Sequence, residues 1–72
     1  MKVDAERIIR ERELQGLSQR GLAQVAGVAI GTMARLEHGY DTRPETAKKV
    51  SDALGLTVGD IRLESKRVPV AG

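Results

Sequence analysis

Leu17-Ser18-Gln19-Arg20-Gly21-Leu22-Ala23-Gln24-Val25-Ala26-Gly27-Val28, continued by Ala29-Ile30-Gly31-Thr32-Met33-Ala34-Arg35-Leu36-Glu37, is the stretch on which the fold of this chain turns. Ser18 stands where a helix wants an N-cap, and Leu22, Ala23 and Ala26 then fall on one side of a helix running from Gln19 to Ala26. Gly27 follows as a residue able to take the left-handed conformation that closes a helix. Two helices cross closely only where a small residue lies at the contact and the turn between them tolerates positive φ; Ala23 and Gly27 supply both at four-residue spacing. A second helix is predicted from about Ala29 to Glu37. Val28, Met33 and Leu36 would seal it to the body, leaving Ala29, Ile30, Gly31, Thr32 and Arg35 facing outward.

Working outward, Asp4 to Leu14 contains no Gly or Pro, and Ala5, Ile8, Ile9 and Arg12 share one helical face behind Asp4 as N-cap, with Gly16 as the break. On the other side Tyr40 to Arg43 reads as a polar loop. Thr42-Arg43-Pro44-Glu45 combines a capping-box pattern with a proline suited to a first turn, and the helix it opens carries Ala47, Val50 and Leu54 to Gly55. Thr57-Val58-Gly59-Asp60 resembles a further cap, opening one short turn with Ile61 inward. The expected fold is all-α, about five short helices over residues 4–61, with 62–72 as an extended C-terminal tail. The predicted core is Ile8, Ile9, Leu14, Leu17, Leu22, Val28, Met33, Leu36, Val50, Leu54, Leu56, Val58 and Ile61.

Composition narrows what such a domain does. At 72 residues there is room for one small core, and without cysteine neither disulfides nor thiolate metal sites hold it together. His38, the single histidine, has no other ligands at metal-site spacing, so no metal and no cofactor are expected. No apolar run approaches the ~20 residues of a membrane span, and the N-terminus lacks a signal peptide's apolar region, so the expectation is a cytoplasmic protein without membrane contact. Twelve basic against ten acidic side chains leave a net charge of +2, which permits a polyanionic partner without requiring one. With Tyr40 as the one aromatic residue there are no stacking platforms for single-stranded nucleic acid. An enzyme is disfavoured: no nucleophile has a base partner, no glycine-rich phosphate loop joins a strand to a helix, and no carboxylate pair is placed by spacing. No small-molecule pocket is evident.

The chain resembles the Cro/C1-type (XRE) helix-turn-helix family of phage and bacterial regulators across roughly Ile8 to Ile61. The resemblance is carried by Gly16-Leu17-Ser18-Gln19, Leu22-Ala23, Ala26-Gly27-Val28, Leu36-Glu37 with Gly39, and Ala53-Leu54-Gly55-Leu56. It implies a lambda-repressor-like domain that binds double-stranded DNA as a homodimer on a pseudo-palindromic operator, with repression favoured because the acidic residue usual near Arg20 and Gly21 is missing. Carried over by position, the third helix enters the major groove with Ile30, Gly31 and Arg35 at base edges. Ser18, Gln19, Ala29, Thr32 and Tyr40 lie near the DNA backbone, and Arg43 near the minor groove. Arg35 is the principal reader, since a bidentate Arg to guanine is worth ~1–3 kcal/mol of discrimination. Ile30 can meet only a methyl group, so direct readout is thin and DNA shape is expected to contribute through Arg43. Arg12 and Glu37 match a partly buried ion pair between the first and third helices. The competing reading for Arg35, Gln19 and Arg43 is a solvated surface residue. For the whole chain it is a protein-interaction module, antitoxin-like or a co-regulator, using 62–72 on a partner. His38 is expected to meet carbonyls at a helix C-terminus, and Lys48, Lys49, Lys66 and Arg67 to be solvated.

Overall fold

Asp4 opens the first helix by accepting a hydrogen bond from Arg7 N–H at its Oδ1, 3.1 Å away, and α1 runs Ala5–Leu14. The structure, a computed structural model, describes residues 1–63. Behind α1 come α2 (Gln19–Ala26), α3 (Ile30–Glu37), α4 (Pro44–Leu54) and the single turn α5 (Val58–Ile61), so the fold is the expected five-helix, all-α one. Ser18 Oγ caps α2 through Gly21 N–H at 2.9 Å, and Thr57 and Asp60 complete a reciprocal capping box on α5.

The first four helices close in one way, on a glycine of positive φ. After α3, Gly39 takes φ +84°, its N–H reaches Leu36 O, and Tyr40 N–H reaches back to Arg35 O at 3.0 Å. These bonds satisfy carbonyls the helix end would otherwise leave unpaired. Gly27, at φ +74°, does the same between α2 and α3, with Val28 N–H on Ala23 O. Because the chain reverses within Gly27-Val28-Ala29, α2 and α3 pack directly on one another, and Ala23, almost wholly buried, lets α3 and α4 approach α2 closely.

Ile8, Leu22, Met33, Leu36, Val50 and Ile61 form the fully buried heart of the core. Leu17, Val28 and Leu56 pack against it half-buried; Ile9 and Val58 are half-buried as well. Ser51 is buried on α4 and satisfied by donating to Lys48 O. Three expectations are corrected. Leu14 is 73% exposed, because six residues on from Ile8 at ~100° per residue it lies about 240° around the helix, away from the core face. The capping box at Thr42 does not form: the N-cap of α4 is Arg43, without a side-chain bond. A residue before proline avoids the helical region; Arg43 has ψ +148°, so the helix starts at Pro44 and Thr42 falls outside it.

The third correction concerns the ends. Val3 is only 4% exposed and belongs to the core. It forms an isolated antiparallel bridge with Arg62, flanked by Asp4 N–H on Ile61 O and Leu63 N–H on Lys2 O. Arg62 and Leu63, read as the start of the tail, therefore pair with the N-terminal segment; the remainder, residues 64–72, lies outside the described residues. No helix among the described residues is long and apolar enough to cross a membrane.

Candidate nucleic-acid interface

Two buried anchors and one ion pair hold α3 against the body. Met33 and Leu36 are fully buried, each contributing on the order of 1.5–3 kcal/mol. From the end of the helix Glu37 accepts from Arg12 twice, Nε on Oε2 at 2.8 Å and Nη2 on Oε1 at 3.1 Å. The side chains are 14% and 6% exposed, so this fork lies largely out of water, and Arg12 spends Nη1 on Leu17 O at 3.0 Å. One guanidinium thus ties α1, the turn before α2, and α3 together.

With its inner side fixed, α3 turns Ala29, Ile30, Gly31 and Arg35 to solvent. Ile30 is 41% exposed, large for an isoleucine on a well-packed domain. Thr32, expected outward, is half-buried. The side chains of Arg35 and Arg43 make no hydrogen bond or ion pair with a described residue. Both line one cleft of about 540 Å³ between α3, the loop after it and the start of α4, together with Thr32, Asp41, Thr42 and Thr46. The cleft brings together three hydroxyls and two uncommitted guanidinium groups, donors that suit phosphate oxygens.

The first turn of α3 is equally open. Its N-cap, Ala29, offers no side-chain acceptor, so the N–H groups of that turn keep their positive end unmasked. A Cβ built on Gly31 would meet nothing within 4 Å, so the backbone there is accessible from outside. Ser18, exposed at the head of α2, has its Oγ lone pair on Gly21 N–H while its own proton remains to be donated.

Gln19 and Tyr40 sit differently from their simplest readings. Gln19 Nε2 donates to Glu37 Oε1 at 3.1 Å, joining α2 to the same carboxylate; its second N–H and its carbonyl stay open. The Tyr40 amide is committed to Arg35 O, leaving the hydroxyl of this 60%-exposed ring as its one free donor. At His38 it is the backbone N–H, not the ring, that meets the carbonyls of Ala34 and Arg35. Lys48 is paired with Asp52 at 3.0 Å, on the exposed face of α4. Sequence reasoning missed the Gln19–Glu37 bond and the bond from Gln15 Nε2 to Leu54 O at 2.9 Å. Neither has a local signature, because each joins residues far apart in the chain.

A short helix laid across a second one, anchored by its inner face and bare along its outer face, defines the helix-turn-helix class. A profile described as "Helix-turn-helix" matches residues 8–61, and the chain belongs to that family, of the Cro/C1 (XRE) type read from the sequence. It is 40% identical over 55 residues to a protein of Archaeoglobus fulgidus named as an HTH-type transcriptional regulatory protein; the match takes in 76% of this chain but only 18% of that relative. Among solved structures it is similar to a chain of the SinR protein/SinI protein complex, with a TM-score of 0.75 and 31% identity over 88% of this chain and 63% of that one.

Proposed function

We propose that this chain is a sequence-specific binder of double-stranded DNA that regulates transcription, acting as a repressor and as a homodimer on a pseudo-palindromic operator. The observation that carries the reading is Arg35: an uncommitted guanidinium on the exposed face of a helix whose opposite face is locked into the core. Base edges would be met by Arg35, Ile30 and the open backbone at Gly31. Phosphates would be met by the first turn of α3 around Ala29, by Thr32, Ser18, the free N–H of Gln19 and the Tyr40 hydroxyl, and the minor groove by Arg43. One domain this small offers a modest surface, and a symmetric pair doubles it, with recognition helices ~34 Å apart across one turn of the duplex.

Selection from a random duplex library, read by sequencing, tests this directly. A recovered inverted repeat with one-turn spacing supports it. Arg35→Ala is then expected to relax one base position in each half-site, whereas Gln19→Ala weakens all sites alike. Sedimentation showing a monomer both free and on the recovered duplex would remove the homodimer.

A second reading, a protein-interaction module, is favoured by the apolar character of Ile30 and by the exposure of Leu14 and Val25. Titrating duplex DNA at several salt concentrations separates the two, since phosphate contacts make affinity fall steeply with salt. Binding that ignores both salt and sequence would favour the module.

A further inference from the structure

Residues 1–4 pair with the loop after α3 on one edge and with residues 61–63 on the other. Met1 and Thr42 exchange both backbone bonds: Thr42 N–H donates to Met1 O at 2.9 Å, and the Met1 nitrogen donates to Thr42 O at 2.7 Å. This is the pairing of two directly opposed residues in an antiparallel ladder. Beside it Lys2 Nζ lies 3.5 Å from Asp41 Oδ1. On its other edge the same segment pairs with residues 61–63 through Asp4 N–H on Ile61 O, Leu63 N–H on Lys2 O and the Val3–Arg62 bridge, with the Val3 side chain sunk in the core.

We propose that this segment is a positioning element of the DNA interface, a strap that holds the loop between α3 and α4 so that Arg43 is presented in a fixed place. The inference rests on the DNA-binding reading above. Arg43 is fixed from both sides: Pro44 sets its extended backbone from behind, and Thr42, locked at both polar groups, fixes it from in front. A loop lacking the Met1 pairing would have to be ordered when DNA binds. Ordering one residue's backbone corresponds to about a tenfold loss of affinity, ~1.4 kcal/mol. Lys2 has a second role. Asp41 lines the same cleft as Arg35 and Arg43, where its carboxylate opposes a phosphate, and the Lys2 ammonium offsets that charge. Both partners of this pair are well exposed, so it adds little to folding and its effect falls on the ligand.

The test uses the duplex recovered by selection and a chain shortened to begin Met-Val3. The new methionine stands in for Lys2, so the carbonyl that receives Leu63 N–H and the buried Val3 are kept, while the Met1 pairing and the Lys2–Asp41 contact are lost. Expected are an affinity about tenfold lower, faster amide exchange at Thr42 with Met33 and Leu36 still protected, and, in an Arg43→Ala background, a further loss no larger than Lys2→Ala causes there. Lys2→Glu in the full chain leaves every backbone bond in place and is expected to weaken binding several-fold, less so at high salt. Unchanged affinity of the shortened chain would overturn the proposal, as would the same tenfold loss in the Arg43→Ala background or a loss of protection at Met33 and Leu36 that tracks the affinity. A full-length chain that binds no duplex sinks the DNA-binding reading itself, and the strap's role with it; a full-length chain that binds alongside an equally tight shortened one sinks the strap alone.

Discussion

Removing the Glu37 carboxylate should be among the most damaging single changes at the edge of this domain. Glu37→Ala strands a guanidinium that is 14% exposed and takes two hydrogen bonds from it, leaving Arg12 with Leu17 O as its remaining partner. Breaking a buried pair from one side costs about 3–5 kcal/mol, chiefly because the surviving charge stays out of water. A domain of 72 residues is stable by roughly 4–11 kcal/mol in all, so the variant loses about a quarter or more of its stability, and its Tm falls by about 12 °C or more. Arg12→Met alone should cost a comparable amount, since the carboxylate it strands is the more buried of the two and keeps one bond, from the Gln19 amide, as Arg12 keeps Leu17 O. Arg12→Met combined with Glu37→Ala leaves no charge on either side and should recover much of the loss, giving a coupling of at least ~2 kcal/mol. Urea unfolding followed by circular dichroism measures all four proteins, with an unchanged m-value confirming that stability alone has moved. A coupling below about 0.5 kcal/mol would refute the reasoning, because it would mean the charges are hydrated in spite of their burial.

Gly27→Ala tests the turn: a Cβ there meets nothing within 4 Å, so the whole effect comes from holding alanine at φ +74°, about 1–2 kcal/mol and a fall in Tm of on the order of 10 °C. Thr57→Ala removes a working cap and should cost ~1 kcal/mol in the same assay, whereas Thr42→Ala, which removes no cap, should cost under about 0.5 kcal/mol. Ala29→Ser supplies the acceptor α3 lacks and should stabilise the domain by ~1 kcal/mol. It should also weaken binding to a selected duplex, because the new oxygen competes with phosphate for the first-turn N–H groups; equal or tighter binding would show that no phosphate approaches there.

Most of the architecture was legible because it is written in local chemistry. Asp4, Ser18 and Thr57 cap as expected, and Gly27 and Gly39 end helices that side-chain periodicity had already outlined. Legibility failed where two local rules competed or where the partner was remote. At Thr42 a capping-box pattern and an X-Pro restriction pointed to starts one residue apart, and the proline prevailed because sterics before its ring leave no helical alternative. Leu14 was assigned to the core for its hydrophobicity, although its angle around α1 places it in water. Val3 precedes any periodic pattern, and its pairing partners, Ile61 to Leu63, could not be inferred from the residues beside it. The outward set on α3, Thr32 excepted, follows from the positions of Met33 and Leu36, but the bond that draws Gln19 to Glu37 crosses from one helix to another and has no sequence signature.

By local rules α3 is the weakest of the longer helices. It starts at an alanine that cannot cap, has glycine as its second residue, and exposes an isoleucine. Eight such residues would not hold a helix by themselves. What holds them is tertiary: Met33 and Leu36 beneath, and the Arg12–Glu37–Gln19 network at the C-terminal end. The stabilising contacts are thus concentrated on the inner face and the last turn, while the first turn and outer face are left without partners. A surface arranged only for solubility gains nothing from an uncapped helix start and a bare glycine. A backbone that a charged ligand must approach closely gains from both, and the stabilisation lost there is offset at the opposite end of the same helix. On the proposed DNA-binding reading, the ion pair at Glu37 and the uncommitted Arg35 two residues before it act as one device: the first fixes the helix from which the second would reach the duplex.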